Sequence, residues 1–352
     1  MERNAGIEYC RIFSMIYIII FHFSDYGMVK LSLDLPFDIN WIFLSICRLG
    51  GGLGNCLFVL ISGYLLVYKK FKLYRIIKLW IEVLFYSIIL GIILVIIGVD
   101  KISFAWLFKT FFPVINNLFW FISTYILLMF CTPYLNYIIF NCTKASIKLF
   151  ICFGIIAFSI IPTIFNAKFM LGAGHLPIFI TLYMIGGYIR IYKDDMKIKI
   201  KYLVLVYLVS VFTIYMVYCI DSVFDVNVPL HYFVWHMEKT PIIVCSVMLF
   251  IFFKNMKIKI NRCILFFSSS TFGVYLIHMR LYKYLFFDLF DDSISYTNGT
   301  LPLFIICSSL LIFICGILID KIRIKYFDYK VMDWINPYIE KIEKKVMILS
   351  GD

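Results

Sequence analysis

The sequence predicts an all-α polytopic membrane protein of about ten transmembrane helices with both termini cytoplasmic. Three observations predict it: an apolar composition, repeated long apolar runs and an uneven placement of positive charge. Hydrophobic residues make up 63% of the 352 and charged residues 15%, against roughly 45–50% and about 25% in soluble domains. A helix crossing the hydrocarbon needs about 20 mostly apolar residues, and runs of that kind recur from residue 12 to residue 318 with short polar breaks. A net charge of +12 would suit a nucleic-acid or acidic partner if it gathered on a soluble face, so its placement decides. With the N-terminus inside, the inner loops hold Lys69, Lys70, Lys72, Arg75, Lys78, Lys144, Lys148, Arg190, Lys193, Lys197, Lys199, Lys201, Lys254, Lys257, Lys259 and Arg262. The outer loops hold Lys30, Arg48, Lys101, Lys109, Lys168 and Lys239, a 16-to-6 bias in the sense of the positive-inside rule. No nucleic-acid partner is expected; membrane lipids are.

The first helix, near 7–25, contains the apolar run 12–23. No small-residue cleavage site follows it, so it reads as a retained span rather than a signal peptide. The second, near 42–68, opens on Gly50, Gly51, Gly52 and Gly54; no strand precedes these glycines, as is also true of Gly172 and Gly174, so close helix packing is expected and a nucleotide-binding loop is not. The third lies near 74–97. The apolar stretch 102–112 is too short to span and is expected in the outer interface. Further helices follow near 118–139, 147–165, 174–192, 201–220, 237–254, 263–287 and 301–320. No fixed-period repeat is visible, so 1–320 reads as one transmembrane domain. Residues 321–352 alternate Ile335, Ile339, Ile342 and Val346 with Glu340, Lys341, Glu343, Lys344 and Lys345, the spacing of an amphipathic helix on the cytoplasmic surface. The 11 cysteines form no CxxC pair and read as small hydrophobes. No metal site is expected.

Ionisable groups inside hydrocarbon are costly, which makes each one a candidate for function, with pairing inside the bundle as the alternative. Helix 1 carries Glu8, Arg11 and His22. At 100° per residue the eleven steps from Arg11 to His22 fall about 20° from three full turns, and Glu8 precedes Arg11 by one turn, so all three share a face. Along the axis Arg11 and His22 are about 16 Å apart, which puts Arg11 near the cytoplasmic interface and His22 in the outer half. Glu8 and Arg11 read equally as an ion pair closing the helix end or as ligand-binding groups. His22 reads as a functional imidazole or as a core histidine bonded to a neighbour.

The segment Arg3-Asn-Ala-Gly-Ile-Glu8-Tyr-Cys-Arg11, followed by His22, resembles the opening of acyltransferase-3 proteins, whose signature is an Arg followed after ten residues by a His. The resemblance continues through Gly54-Asn-Cys-Leu-Phe-Val-Leu-Ile-Ser62-Gly63-Tyr64, through Leu118-Phe-Trp120-Phe-Ile-Ser-Thr-Tyr125 to Pro133-Tyr-Leu-Asn136, and ends at Phe272-Gly273-Val-Tyr275-Leu-Ile-His278. It implies a membrane O-acyltransferase of the bacterial inner membrane. Such an enzyme takes an acyl group, commonly acetyl, from cytoplasmic acyl-CoA to a hydroxyl of a polysaccharide or its lipid-linked precursor, with acetyl-CoA as a substrate and no permanently bound cofactor. By the same resemblance His22 is the catalytic base, with Glu8 where the family carries Asp or Glu, Arg11 helps hold the donor, and His278 falls on a family position. An imidazole suits the step, because an alcohol is a poor nucleophile until a positioned base takes its proton. An acyl-histidine intermediate is a second route.

Members of that family often carry two Arg three residues apart after helix 2. Here Arg75 and Lys78 occupy those positions, and Lys lacks the bidentate fork of Arg. Both are read as donor-binding, with ordinary positive-inside charge as the alternative. Glu82 is expected to pair with Lys78 or Arg11. Arg48, His278 and Arg280 are read toward the acceptor or the developing oxyanion, and Asp25 either orients His22 or is an exposed helix-end carboxylate. His231, His236 and Glu238 read as solvated loop residues. A transporter or flippase of polysaccharide intermediates is the competing function. It expects polar groups near the midplane between broken helices, whereas this stripe runs along one unbroken helix. A non-catalytic scaffold would leave the charged stripe without a purpose.

Overall fold

A computed structural model of the chain describes residues 3–26, 37–165, 174–224, 229–230, 232–234, 236–283 and 299–350. Among them the regular elements are all helical. Helix α1 is Ala5–Tyr26, begun by Asn4, whose Oδ1 accepts from the Ile7 amide at 3.2 Å. Helices α2 (Ile39–Arg48) and α3 (Gly50–Leu66) meet at Leu49 and together form one apolar span. Helices α4 (Leu73–Ile96), α5 (Phe104–Phe111) and α6 (Trp120–Asn141) follow. Next come α7 (Lys144–Ile155), a widened turn (Ile156–Ile160), and α8 (Ile161–Phe165). The chain continues with α9 (Leu176–Tyr192), α10 (Ile200–Phe224), α11 (Thr240–Lys254), α12 (Arg262–Ser268) and α13 (Thr271–Lys283). It closes with α14 (Leu301–Arg323) and α15 (Tyr329–Ser350). Among the described residues eight helical spans are long and apolar enough to cross a membrane, and α9 and α11 are shorter apolar helices.

The glycine-rich α3 sits at the centre, packed by α1, α9 and α11. A Cβ at Gly63 would fall on the Tyr183 carbonyl oxygen, and one at Gly186 on the Leu60 carbonyl oxygen. Only a residue without a side chain lets these backbones approach so closely, which is the packing the glycines led us to expect. Ser62 Oγ and Tyr125 Oη lie 2.9 Å apart, and Asn136 donates to the Leu66 carbonyl at 3.1 Å, so two of the sequence motifs meet between α3 and α6.

Polar contacts gather the basic loops at one end of the bundle. Asn4 Nδ2 donates to the Lys254 carbonyl at 3.0 Å, Lys254 Nζ is 3.5 Å from Asp194, and Arg190 bridges Asp194 and the Tyr64 hydroxyl at 2.9 and 2.6 Å. Thus the start of α1 and the ends of α3, α9 and α11 share this end. His22, Asp100, His175 and His236 face one cavity away from it.

Helical structure continues past 320. Helix α14 runs on through a wide turn (Ile324–Asp328) into α15. The stripe expected on a membrane surface is divided: Ile339 is buried and Ile335 packs with it against Ile77 and Ile81 of α4, while Ile342 is exposed. One apolar stripe has found another, which removes more apolar surface from water than a solitary surface helix would.

Candidate functional site

His22 and His278 come from helices far apart in sequence and lie side by side, with ring centroids 5.2 Å apart. Both are buried. His278 Nδ1 is 2.9 Å from the Val274 carbonyl; a carbonyl only accepts, so Nδ1 carries the proton and Nε2 is the acceptor. No described group bonds that buried Nε2. Tyr275, one turn earlier on α13, packs on the His278 ring at 5.7 Å.

His22 lines a cavity of about 760 Å³, within the usual range of small-molecule sites of about 300–1,000 Å³. The walls join Asp25, Asn55, Trp120, Tyr275 and Arg280 from the spans to Ser103, Trp106 and Lys109 of the short α5 segment, and to His175 and His236. Helix α5, expected merely to rest in an interface, is a wall of this cavity. Its residue Thr110 is buried, and the Thr110 carbonyl accepts from Ser87 at 2.8 Å. Asp100 fixes the same wall by accepting from Arg280 at 3.0 Å and from the Trp106 indole at 3.2 Å. Indole faces beside hydroxyl, amide, carboxylate and guanidinium groups can hold an apolar ring face and read polar substituents on its edge.

Several sequence expectations change here. Asp25 is neither exposed nor a partner shown to orient His22: it forms an ion pair with Arg48, both side chains being largely buried. Arg48 therefore stands behind the cavity wall, with its guanidinium over Phe21 at 5.2 Å. Glu238 is buried rather than solvated. Burial raises its carboxyl above the ordinary range and lowers the imidazole of His175, whereas His236 is exposed, as expected of a solvated loop residue. His231 lies outside the described residues. His175, unremarked in the sequence, stacks near Trp120 at 4.6 Å.

Glu8 and Arg11 form an ion pair at 3.2 Å near the basic end, with 31% of the Arg11 side chain exposed. Glu8 lies about 21 Å from His22 along α1 by helical rise, so it does not touch the imidazole. Arg75 donates to the Lys70 carbonyl at 3.0 Å. Lys78 is 3.5 Å from Asp328. Glu82 pairs with neither Lys78 nor Arg11 but with Arg323 at 2.7 Å, because the extension of α14 brings a guanidinium into the bundle beside it. Among the described residues no three His, Cys, Asp or Glu side chains are grouped to hold a metal ion.

No curated protein matches the chain, and no solved structure matches it. The family model described as an acyltransferase domain, that of the acyltransferase-3 proteins, matches residues 4–320. That region includes α1 with Arg11 and His22, both faces of the cavity, and His278 on α13. The chain belongs to the acyltransferase-3 family of membrane acyltransferases.

Proposed function

We propose that this protein moves an acyl group, acetyl in the first instance, from cytoplasmic acyl-CoA to a hydroxyl of a cell-surface polysaccharide or its lipid-linked precursor in the bacterial inner membrane. The observation that carries the reading is His22 on the wall of the cavity of about 760 Å³, in a chain whose matched region is an acyltransferase domain. Ten spans with both termini in the cytoplasm would put the basic end on the side where acyl-CoA is made, and the cavity toward the other face.

The residues divide the work by chemistry. A sugar hydroxyl in the cavity gives its proton to the His22 imidazole as its oxygen attacks the thioester carbonyl carbon. The C–O bond forms, the C–S bond breaks, and the departing thiolate of coenzyme A takes a proton. His278, in ring contact with His22, holds the base in place from behind. At the basic end Arg11 and Arg75 meet the phosphates of the donor, because those charges cannot enter hydrocarbon unpaired. Lys78 adds to that field, Glu8 keeps Arg11 oriented, and Arg48 acts at one remove by fixing Asp25 on the cavity wall. The donor is a substrate and leaves as coenzyme A, so no cofactor stays bound.

The test is mass spectrometry of the surface polysaccharide from strains carrying wild type or His22→Ala at equal membrane abundance. An acetyl increment present with wild type and absent with the variant supports the reading. Full acetylation with His22→Ala would move the assignment to a transporter of polysaccharide intermediates.

A further inference from the structure

The matched acyltransferase region ends at 320, yet the side chains just beyond it are built into the bundle. Arg323 is buried, and its three nitrogens reach three carboxylates: Nε to Asp320 at 2.9 Å, Nη2 to Glu82 at 2.7 Å, and Nη1 to Asp328. Asp320 also accepts from the Tyr86 hydroxyl at 2.8 Å. Glu82 and Tyr86 belong to α4, whose first turns carry Arg75 and Lys78. The wide turn and α15 then run back along α4, with Phe327 of the turn on Phe85 at 4.5 Å between ring centroids and Ile339 of α15 buried near Ile81.

At the start of α4 the contact becomes specific. Lys72, the N-cap, offers no side-chain hydrogen bond; its carbonyl accepts from the Arg75 amide at 3.1 Å, which leaves the Tyr74 amide in need of an acceptor from elsewhere. Glu343 of α15 supplies one: its Oε1 accepts from the Tyr74 amide at 3.2 Å. A carboxylate there also meets the positive end of the helix dipole. Asp328 holds Lys78 one turn further on. Arg75 lies between these two tethered residues, its guanidinium bonded, among the described residues, only to the Lys70 carbonyl.

We infer that residues 321–343 are a clamp that sets the first turn of α4 and thereby presents Arg75 to the nucleotide end of acyl-CoA, so that the tail is a positioning element of donor binding. The donor half of this inference rests on the acyl-CoA reading above; the clamp half does not.

Two measurements on the full-length protein in detergent separate them. Amide hydrogen exchange of 73–78 reads the clamp, and titration with coenzyme A reads the donor link. Glu343→Ala is expected to speed exchange at Tyr74 and weaken coenzyme A binding about fivefold, about 1 kcal/mol. Glu343→Gln, whose amide oxygen still accepts, is expected to restore both. Ile339→Ala, which loosens the tail at a distance from the loop, should shift both in the same direction as Glu343→Ala. Unchanged exchange in both Ala variants overturns the clamp. Faster exchange with unchanged coenzyme A affinity overturns the positioning role. If wild type binds no coenzyme A while exchange responds, the clamp stands, its donor role fails, and the acyl-CoA reading fails with it.

Discussion

His22 and His278 stand in unequal positions, and this sets what each substitution does. His22 lines the cavity, whereas His278 is fully buried behind it with Nδ1 committed to Val274. His22→Ala is therefore expected to lower acyl transfer by about 10² to 10⁴, the usual loss of general-base assistance, with membrane abundance unchanged. A core histidine would instead lose activity and abundance together, and immunoblotting beside the activity assay separates the two. His175, half-buried against Trp120, gives a pH expectation. Burial lowers its pKa against the opposing pull of Glu238, with His236 adding to the fall, so the folded protein prefers the neutral ring. The unfolded chain then binds the proton first as pH falls below about 6.5, and stability declines through that window. The thermal midpoint should drop between about pH 7 and pH 5 and drop less in His175→Gln; identical slopes would remove His175 as the cause. Arg11 and His22 were legible in the sequence because a charged or titratable group is conspicuous in an apolar helix. His175 and Trp106 were not, since polar and aromatic residues in short connections are ordinary until the fold brings them to one wall.

The helices themselves were legible because apolar runs separated by polar breaks stand out in the sequence: each predicted helix has a helical counterpart, that near 263–287 as two helices, Arg262–Ser268 and Thr271–Lys283, with 284–287 outside the described residues. Contacts between helices were not. Glu82 was assigned to neighbours in sequence, yet its partner lies 241 positions away, and no periodicity encodes that distance. The extension of α14 past 320 was hidden by its own composition, because Lys321, Arg323 and Lys325 look like the end of a span. Buried ion networks of this kind are costly to break from one side, since the remaining carboxylates lose their counterion. Arg323→Ala should therefore destabilise the protein by about 3–5 kcal/mol, read as a fall in the melting temperature in detergent. Gly273 of α13 supports the same junction: a Cβ there would fall on the Asp320 carboxylate. Gly273→Ala should cost about 1–3 kcal/mol, as overpacking does, and a variant as stable as wild type would show that α13 and α14 can separate without loss.

At the scale of the whole molecule, direction across the membrane follows from charge and from which ends of which helices meet. Asn4, Tyr64, Arg190, Asp194 and Lys254 join at one end through hydrogen bonds and ion pairs, so the loops that carry most of the Lys and Arg belong together. The bias of 16 to 6 among those loops then predicts a cytoplasmic position for that end. Reporter fusions near Lys70, Lys199, Lys257 and in the tail should accordingly report from the cytoplasm. Fusions near Asp225 and Asp292, positions outside the described residues, should report from the far side. Lys199 is the decisive site, because it lies in the connection between α9 and α10, and the 17 residues of α9 are below the usual length of a span. If α9 crosses with its neighbours, a fusion at Lys199 shares a side with one at Lys70. A fusion at Lys199 that reports from the outside would reduce the number of spans, reverse the chain after α9, and separate Arg190 and Asp194 from the compartment in which acyl-CoA is made.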